Sequence, residues 1–266
     1  MLSGFHTHTT YCDGKSTPRE IAEAAYEKGF SALGFSGHGY TDFDHTYCMK
    51  DTEGYRREVL ALKEEYKGKM EIYLGVEEDA FCYVDRSRFD YILGSSHYVR
   101  TEKGYLPIDS NVDCFRRCLD AFKGDALRFA EVYYESFCAY IHARRPDIVG
   151  HFDLVSKFSE VSEPNLLIDR AYRELSERYM AYAAESGCIF EVNTGAISRG
   201  YRKTPYPAEN LLHVLKKQGG RVILCSDSHH KDTLDYAFDE ARAYLRDAGL
   251  ESAVTISNGE FISYPL

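Results

Sequence analysis

The sequence has no tryptophan, no Cys-x-x-Cys pair among its eight cysteines, and a deficit of basic residues. The missing pair speaks against a structural zinc module. Lys and Arg number 32 against 42 Asp and Glu, a formal net charge of -10. That balance argues against a nucleic-acid partner, which would need a basic stripe. It leaves room for an anionic substrate, because bound cations reverse the local sign of a site. No apolar run approaches the roughly 20 residues that span a bilayer, so no membrane partner is expected. The chain does not open on a basic region followed by an apolar run, so no secretory leader is expected. The thiols are then expected to be reduced and the protein cytoplasmic. There is no Pro- or Ser-rich linker, no fixed-period repeat and no low-complexity tract. The 266 residues therefore read as one domain, 1–266, with enough length for one large core. Oligomeric state is not legible.

What is present is an alternation of strands and helices. A short apolar lead ends at Phe5. Thr17, Pro18 and Glu20 form a helix start, with a cap, a first-turn proline and a capping-box glutamate, for a helix to Lys28. Strands follow over 31–37, 70–75, 91–95, 147–150, 188–192 and 222–225. Helices are expected over 54–66, 165–185, 207–218 and 234–248. Two inserted helical segments cover about 111–145, broken near Gly124. A closing strand near Val254 and a tail at 261–264 end the pattern. Strand, helix, strand throughout argues for a parallel sheet with helical crossovers. Seven main strands suggest an α/β barrel, and in such barrels catalytic residues collect at the C-terminal rim of the strands.

The ends of those strands carry the chemistry. His6 and His8 alternate about Thr7, so on a strand both side chains point to one face. Asp13 follows on a Gly-containing turn. His38, Glu77, His97 and His151 each come directly after a short buried run, as do Asp227 and His229 after the 222–225 strand. A single histidine in that position is an ordinary loop residue, and a lone Asp is often a helix cap. The recurrence of the same address across the chain is what points to a shared metal centre. Imidazole and carboxylate donors suit Zn, Mn or Fe. Nine candidate ligands are too many for one ion; they suit three divalent ions, with Glu77, the only Glu of the set, as the bridge. Such ions would leave the pocket positive and draw in a phosphate dianion.

The motifs Phe5-His6-Thr7-His8, Ser36-Gly37-His38, Gly75-Val76-Glu77, Gly94-Ser95-Ser96-His97, Gly150-His151-Phe152-Asp153 and Ser226-Asp227-Ser228-His229 resemble those of the polymerase-and-histidinol-phosphatase (PHP) superfamily, in the family's order. The resemblance implies a distorted, TIM-like (β/α)7 barrel with a trinuclear metal site. The stretches 94–98, 150–158 and 191–200, with Pro205-Tyr206-Pro207, look most like the monofunctional histidinol-phosphate phosphatases. One departure is visible: Ser156 stands where related enzymes often carry an Arg, which leaves Lys157 to help hold phosphate.

The resemblance implies that His6, His8, Glu77 and Asp227 hold one ion, Glu77, His97 and His151 a second, and Asp13, His38 and His229 the third. A metal-bound hydroxide would attack phosphorus in line. Arg199 and Lys157 would clamp the phosphate, and Asp153 or His229 would protonate the leaving alkoxide. The loop with Tyr40, Asp42, Asp44 and His45, and the strand end Asn193, would face the rest of the substrate. The implied reaction is hydrolysis of L-histidinol phosphate to L-histidinol and phosphate, in histidine biosynthesis. The alternative is another small phosphomonoester, a nucleotide or phosphotyrosine. Two further classes compete: a non-catalytic metal-binding module, and a deacetylase or amidohydrolase that shares the His-x-His start.

Overall fold

The computed structural model describes residues 1–266. In chain order its elements are β1 (Ser3–Gly4), α1 (Pro18–Glu27), β2 (Ala32–Phe35), α2 (Thr52–Glu65), β3 (Glu71–Asp79), β4 (Tyr91–Ser95), β5 (Tyr98–Thr101), β6 (Gly104–Pro107), α3 (Val112–Ala121), α4 (Ala126–Arg144), β7 (Ile148–Val149), α5 (Arg170–Ala184), β8 (Ile189–Asn193), α6 (Gly195–Ser198), α7 (Glu209–Lys217), β9 (Arg221–Cys225), α8 (Phe238–Asp247), β10 (Ser252–Ser257) and β11 (Glu260–Pro265). The capping box of α1 forms as expected: Thr17 and Glu20 each accept from the other's backbone N–H.

The main sheet runs β1-β2-β3-β4-β7-β8-β9-β10-β11. β1 to β9 in this order are parallel neighbours. The sheet curls until its first and seventh strands meet at the C-terminal rim. There His8 N donates to Ser228 O at 2.8 Å and Ser228 N to His6 O at 3.2 Å. The α/β barrel expected from the strand count, in the distorted seven-stranded form that the resemblance implies, is thus the architecture found.

Inward-facing Phe5, Tyr73, Tyr91, Leu93, Ile148, Ile189 and Ile223 fill the barrel, joined by Val254 and Ile256 of β10. Tyr91 is fully buried because its hydroxyl donates to Phe5 O at 2.7 Å. β10 pairs parallel with β9 through Val254 and Ile223, and β11 runs back antiparallel along it. Their turn, Asn258-Gly259, has φ of 51° and 80°, both left-handed, as a tight hairpin requires. It docks on β3: Asn258 N donates to Glu71 Oε2 at 2.9 Å and Gly259 N to the Tyr73 hydroxyl at 3.2 Å.

Several expectations shift. β3 continues beyond Gly75 to Asp79. The 165–185 helix is a 3-10 turn, then α5, which Asp169 caps by accepting from Tyr172 N. The last helix starts at Phe238, after a 3-10 turn at 231–233. The tail is strand β11. The β5–β6 hairpin was not anticipated, because its charged turn, Glu102-Lys103, interrupts any apolar pattern. The insertion does break at Gly124, whose φ is 80°. α4 is pinned to β3 by Glu78, whose carboxylate accepts from Tyr140 OH at 2.9 Å and Arg144 Nη2 at 2.8 Å.

Candidate metal centre

Beyond β1 the chain stays extended. Thr7 is tied on one side to Ser36 and on the other to Ser228, so His6 and His8 project together into the barrel mouth, both fully buried. Gly14 closes the turn that follows. A Cβ there would lie 2.5 Å from Thr9 N, so only glycine allows the chain to fold back that closely. The turn brings Asp13 to the pocket: its Oδ2 lies 3.3 Å from His229 Nε2 and 3.6 Å from His38 Nε2.

Glu77, at the inner rim of β3, divides its two oxygens. Oε1 faces His97 Nε2 and His151 Nε2, each at 3.2 Å. Oε2 faces His38 Nδ1 at 2.9 Å, His6 Nε2 at 3.3 Å and His8 Nε2 at 3.5 Å. Asp227 turns out of β9 with a left-handed φ of 50°, a conformation Asp tolerates better than most residues. Its Oδ1 comes to 3.3 Å from His8 Nε2, and its Oδ2 takes a 2.7 Å bond from Arg199 Nη2. A Cβ on Gly195 would sit 2.8 Å from that Oδ2, so glycine makes room for the pair.

The structure thus brings all nine expected donors to one pocket. They form four overlapping groupings whose ligand atoms lie within 4.8 Å of one another: His8, Asp13, His38 and His229; His6, Glu77 and His151; His6, His8 and Asp227; His38, Glu77 and His97. The electrostatics match. Burial alone would raise the Glu77 and Asp227 carboxyls, but nearby imidazoles, and Arg199 for Asp227, hold both well below the usual range. Burial would lower His6, yet Glu191, Glu77 and Asp227 raise it well above 6.5. His8 goes the other way, lowered by burial and by His229 and His38. The fit to a metal rests on one observation. His6 Nε2, His8 Nε2 and both Glu77 oxygens are buried and make no hydrogen bond. Buried polar atoms in folded proteins are almost always paired, and these converge on common points, as ligands of shared cations would.

Two carboxylates missed in the sequence stand behind the donors. Glu191 Oε1 lies 2.6 Å from His6 Nδ1, and its Oε2 accepts from His151 N at 2.8 Å. Asp79 Oδ2 lies 3.2 Å from His97 Nδ1. Each leaves the Nε2 of its histidine for the centre. The available signal was a carboxylate inside an otherwise buried strand.

Other expected site residues are placed differently. Asp153 is fully buried, paired with Arg202 Nη1 at 3.1 Å and accepting from Ala208 N, and does not line the cavity. Asn193 is likewise buried, donating to Glu191 Oε2 and accepting from Gly195 N. Asp42 and His45 are exposed and do not line the cavity, and His45 packs on Tyr40. Their loop is turned by Phe43, which stacks on Tyr105 with ring centroids 4.2 Å apart, and by Asp44, which accepts from Tyr98 OH at 2.7 Å. Thr46 and Tyr47 face the cavity instead. Lys157 and Arg199 do line it, as does an unanticipated residue, Asp109. The cavity holds about 260 Å³, the scale of a small metabolite.

Comparison with known proteins agrees with this geometry. A family model described as the PHP domain matches residues 4–195. A probable histidinol-phosphatase of Schizosaccharomyces pombe is 26% identical, over 96% of this chain and 89% of its own. A histidinol-phosphatase of Bacillus subtilis is 27% identical, over 88% and 96% respectively. The crystal structure of the histidinol phosphate phosphatase of Lactococcus lactis, in complex with zinc, L-histidinol and phosphate, superposes with a TM-score of 0.73 at 20% identity, covering 98% of both chains.

Proposed function

The chain belongs to the PHP domain family, and on that premise we propose that it is a metal-dependent phosphomonoesterase that hydrolyses histidinol phosphate to histidinol and phosphate. Curated histidinol-phosphatases align with nearly its whole length. The observation that carries the metal-dependent chemistry is the division of Glu77, with one oxygen toward His97 and His151 and the other toward His6, His8 and His38, while both of its oxygens, His6 Nε2 and His8 Nε2 are buried without a hydrogen bond.

We assign three divalent ions to the nine donors. His6, His8, Asp227 and Glu77 would hold the first, Glu77, His97 and His151 the second, and Asp13, His38 and His229 the third. Zinc, manganese and iron all suit this donor set. When bound, the ions supply a water acidified toward neutral pH and positive charge for the phosphoryl oxygens. Glu191 and Asp79 hold protons at Nδ1 of His6 and His97, so that each Nε2 keeps its lone pair. Arg199 fixes Asp227 through Nη2 on its carboxylate and Nη1 on its main-chain oxygen, and lends its positive charge to the phosphate from the cavity wall; Lys157 adds a point charge. Tyr47 and Tyr98 wall the pocket against water. The whole chain, 1–266, acts as one domain in this reading. Its eight free cysteines support a reducing, cytoplasmic setting, and no helix is long and apolar enough to cross a membrane.

The test is kcat/KM for histidinol phosphate, a nucleoside monophosphate and phosphotyrosine, before chelation, after it, and after reloading with zinc or manganese. Histidinol phosphate should be preferred, and chelation should abolish turnover reversibly. Preference for the nucleotide overturns the substrate. Full turnover after exhaustive chelation overturns the centre.

A further inference from the structure

Lys157 and Arg199 place two cations on the pocket wall, as a phosphate group requires. Asp109 is the one carboxylate lining the cavity that belongs to none of the four donor groupings. Beside a phosphate site it costs binding, since it repels the dianion. It is also firmly held. Ile108 N donates to His97 O at 2.9 Å on one side of it, and on the other Asn111 caps α3 by accepting from Cys114 N. Its Oδ2 faces Lys157 Nζ at 3.2 Å, and Oδ1 makes no hydrogen bond within the protein. Anchoring Lys157 does not account for the carboxylate, because Lys157 Nζ already donates to the main-chain oxygen of Asp109 at 2.7 Å.

We infer that Asp109 is a specificity-determining residue, whose free carboxylate oxygen receives the cationic group, ammonium or imidazolium, of the alcohol half of the substrate. The favoured substrates are then phosphate monoesters of amino alcohols. Esters of neutral alcohols suffer the repulsion without the compensating pair. The inference rests on the reading above, in which the alcohol is histidinol, and supplies the recognition that Asp42 and His45 do not.

The experiment compares an ω-aminoalkyl phosphate with the alkyl phosphate of equal length, on the metal-loaded enzyme. Wild type should prefer the amino ester. Asp109→Asn should lower that preference about tenfold or more, the worth of a hydrogen bond to a charged group, and Asp109→Glu should restore part of it. Asp109→Ser gives the same reading if the Asn variant folds poorly. An equal fall on both esters, or an unchanged ratio, overturns the inference and makes Asp109 a positioning residue for Lys157. Absence of any preference in wild type also overturns it. Failure of wild type to hydrolyse histidinol phosphate would count against the substrate reading alone, since the ratio of the paired esters still decides the role of Asp109.

Discussion

Nδ1 of His6 and Oε1 of Glu191 stand 2.6 Å apart, both residues buried, although 185 positions separate them in the chain. The contact joins the first strand of the barrel to β8 and sets which nitrogen of His6 faces the centre. Replacing Glu191 with Gln should keep the shape of the side chain but remove its charge. We expect metal affinity to fall roughly 10- to 100-fold, read as metal retained against a competing chelator. Unchanged retention would make Glu191 a packing residue.

Glu77→Gln removes the carboxylate that faces both halves of the donor set. Turnover at saturating metal should fall about a hundredfold or more, several kcal/mol of charge stabilisation being lost. The circular dichroism spectrum should not change. The metal content of the purified variant should drop in parallel, and wild-type turnover would show that Glu77 bridges nothing.

Metal uptake should release protons. Burial lowers the His38 imidazole, but Glu77 and Asp13 outweigh it and hold it at about 9, against an ordinary 6.5. A raised histidine lends the metal-free fold stability that is fully present below 6.5 and lost as pH rises through 9. The Tm of metal-free protein should therefore decline over that window, whereas the loaded protein should not follow the same curve. Calorimetry in buffers of different ionisation enthalpy should detect the released proton near pH 7.

Arg202→Met should destabilise the fold by about 3–5 kcal/mol, because it strands the fully buried Asp153 carboxylate. Denaturant titration reads the loss. Adding Asp153→Asn should recover part of it. The pH–rate profile of the double variant should keep the limbs of wild type, since Asp153 moves no proton in the reaction; a lost acid limb would return it to catalysis.

Most of the donors were legible because barrel topology gives them one address, and that address is local: a polar residue directly after a buried run; Asp13, on a turn, stands apart from it. His6 and His8 could be paired from strand periodicity alone. What stands behind them was not legible in the same way. Glu191 and Asp79 lie within strands, where their neighbours read as core, and their partners are remote in sequence. Asp153 shows the opposite failure. It follows His151 closely, but the turn after β7 sends its side chain outward to Arg202. Asp42 and His45 were suggested by loop composition, which carries no direction; the stacking of Phe43 on Tyr105 decided it. The β5–β6 hairpin that carries Tyr105 hid behind a charged turn.

The seam between Thr7 and Ser228 has a temporal meaning. His6 and His8 leave the ribosome well before Asp227 and His229, and the backbone bonds between the two segments are what bring them into one mouth. A nascent chain can gather scattered histidines but cannot assemble the full donor set until β9 is laid against β1. Ions whose donors lie on both sides of this seam, as in the grouping of His6, His8 and Asp227, would therefore load only after the barrel has closed.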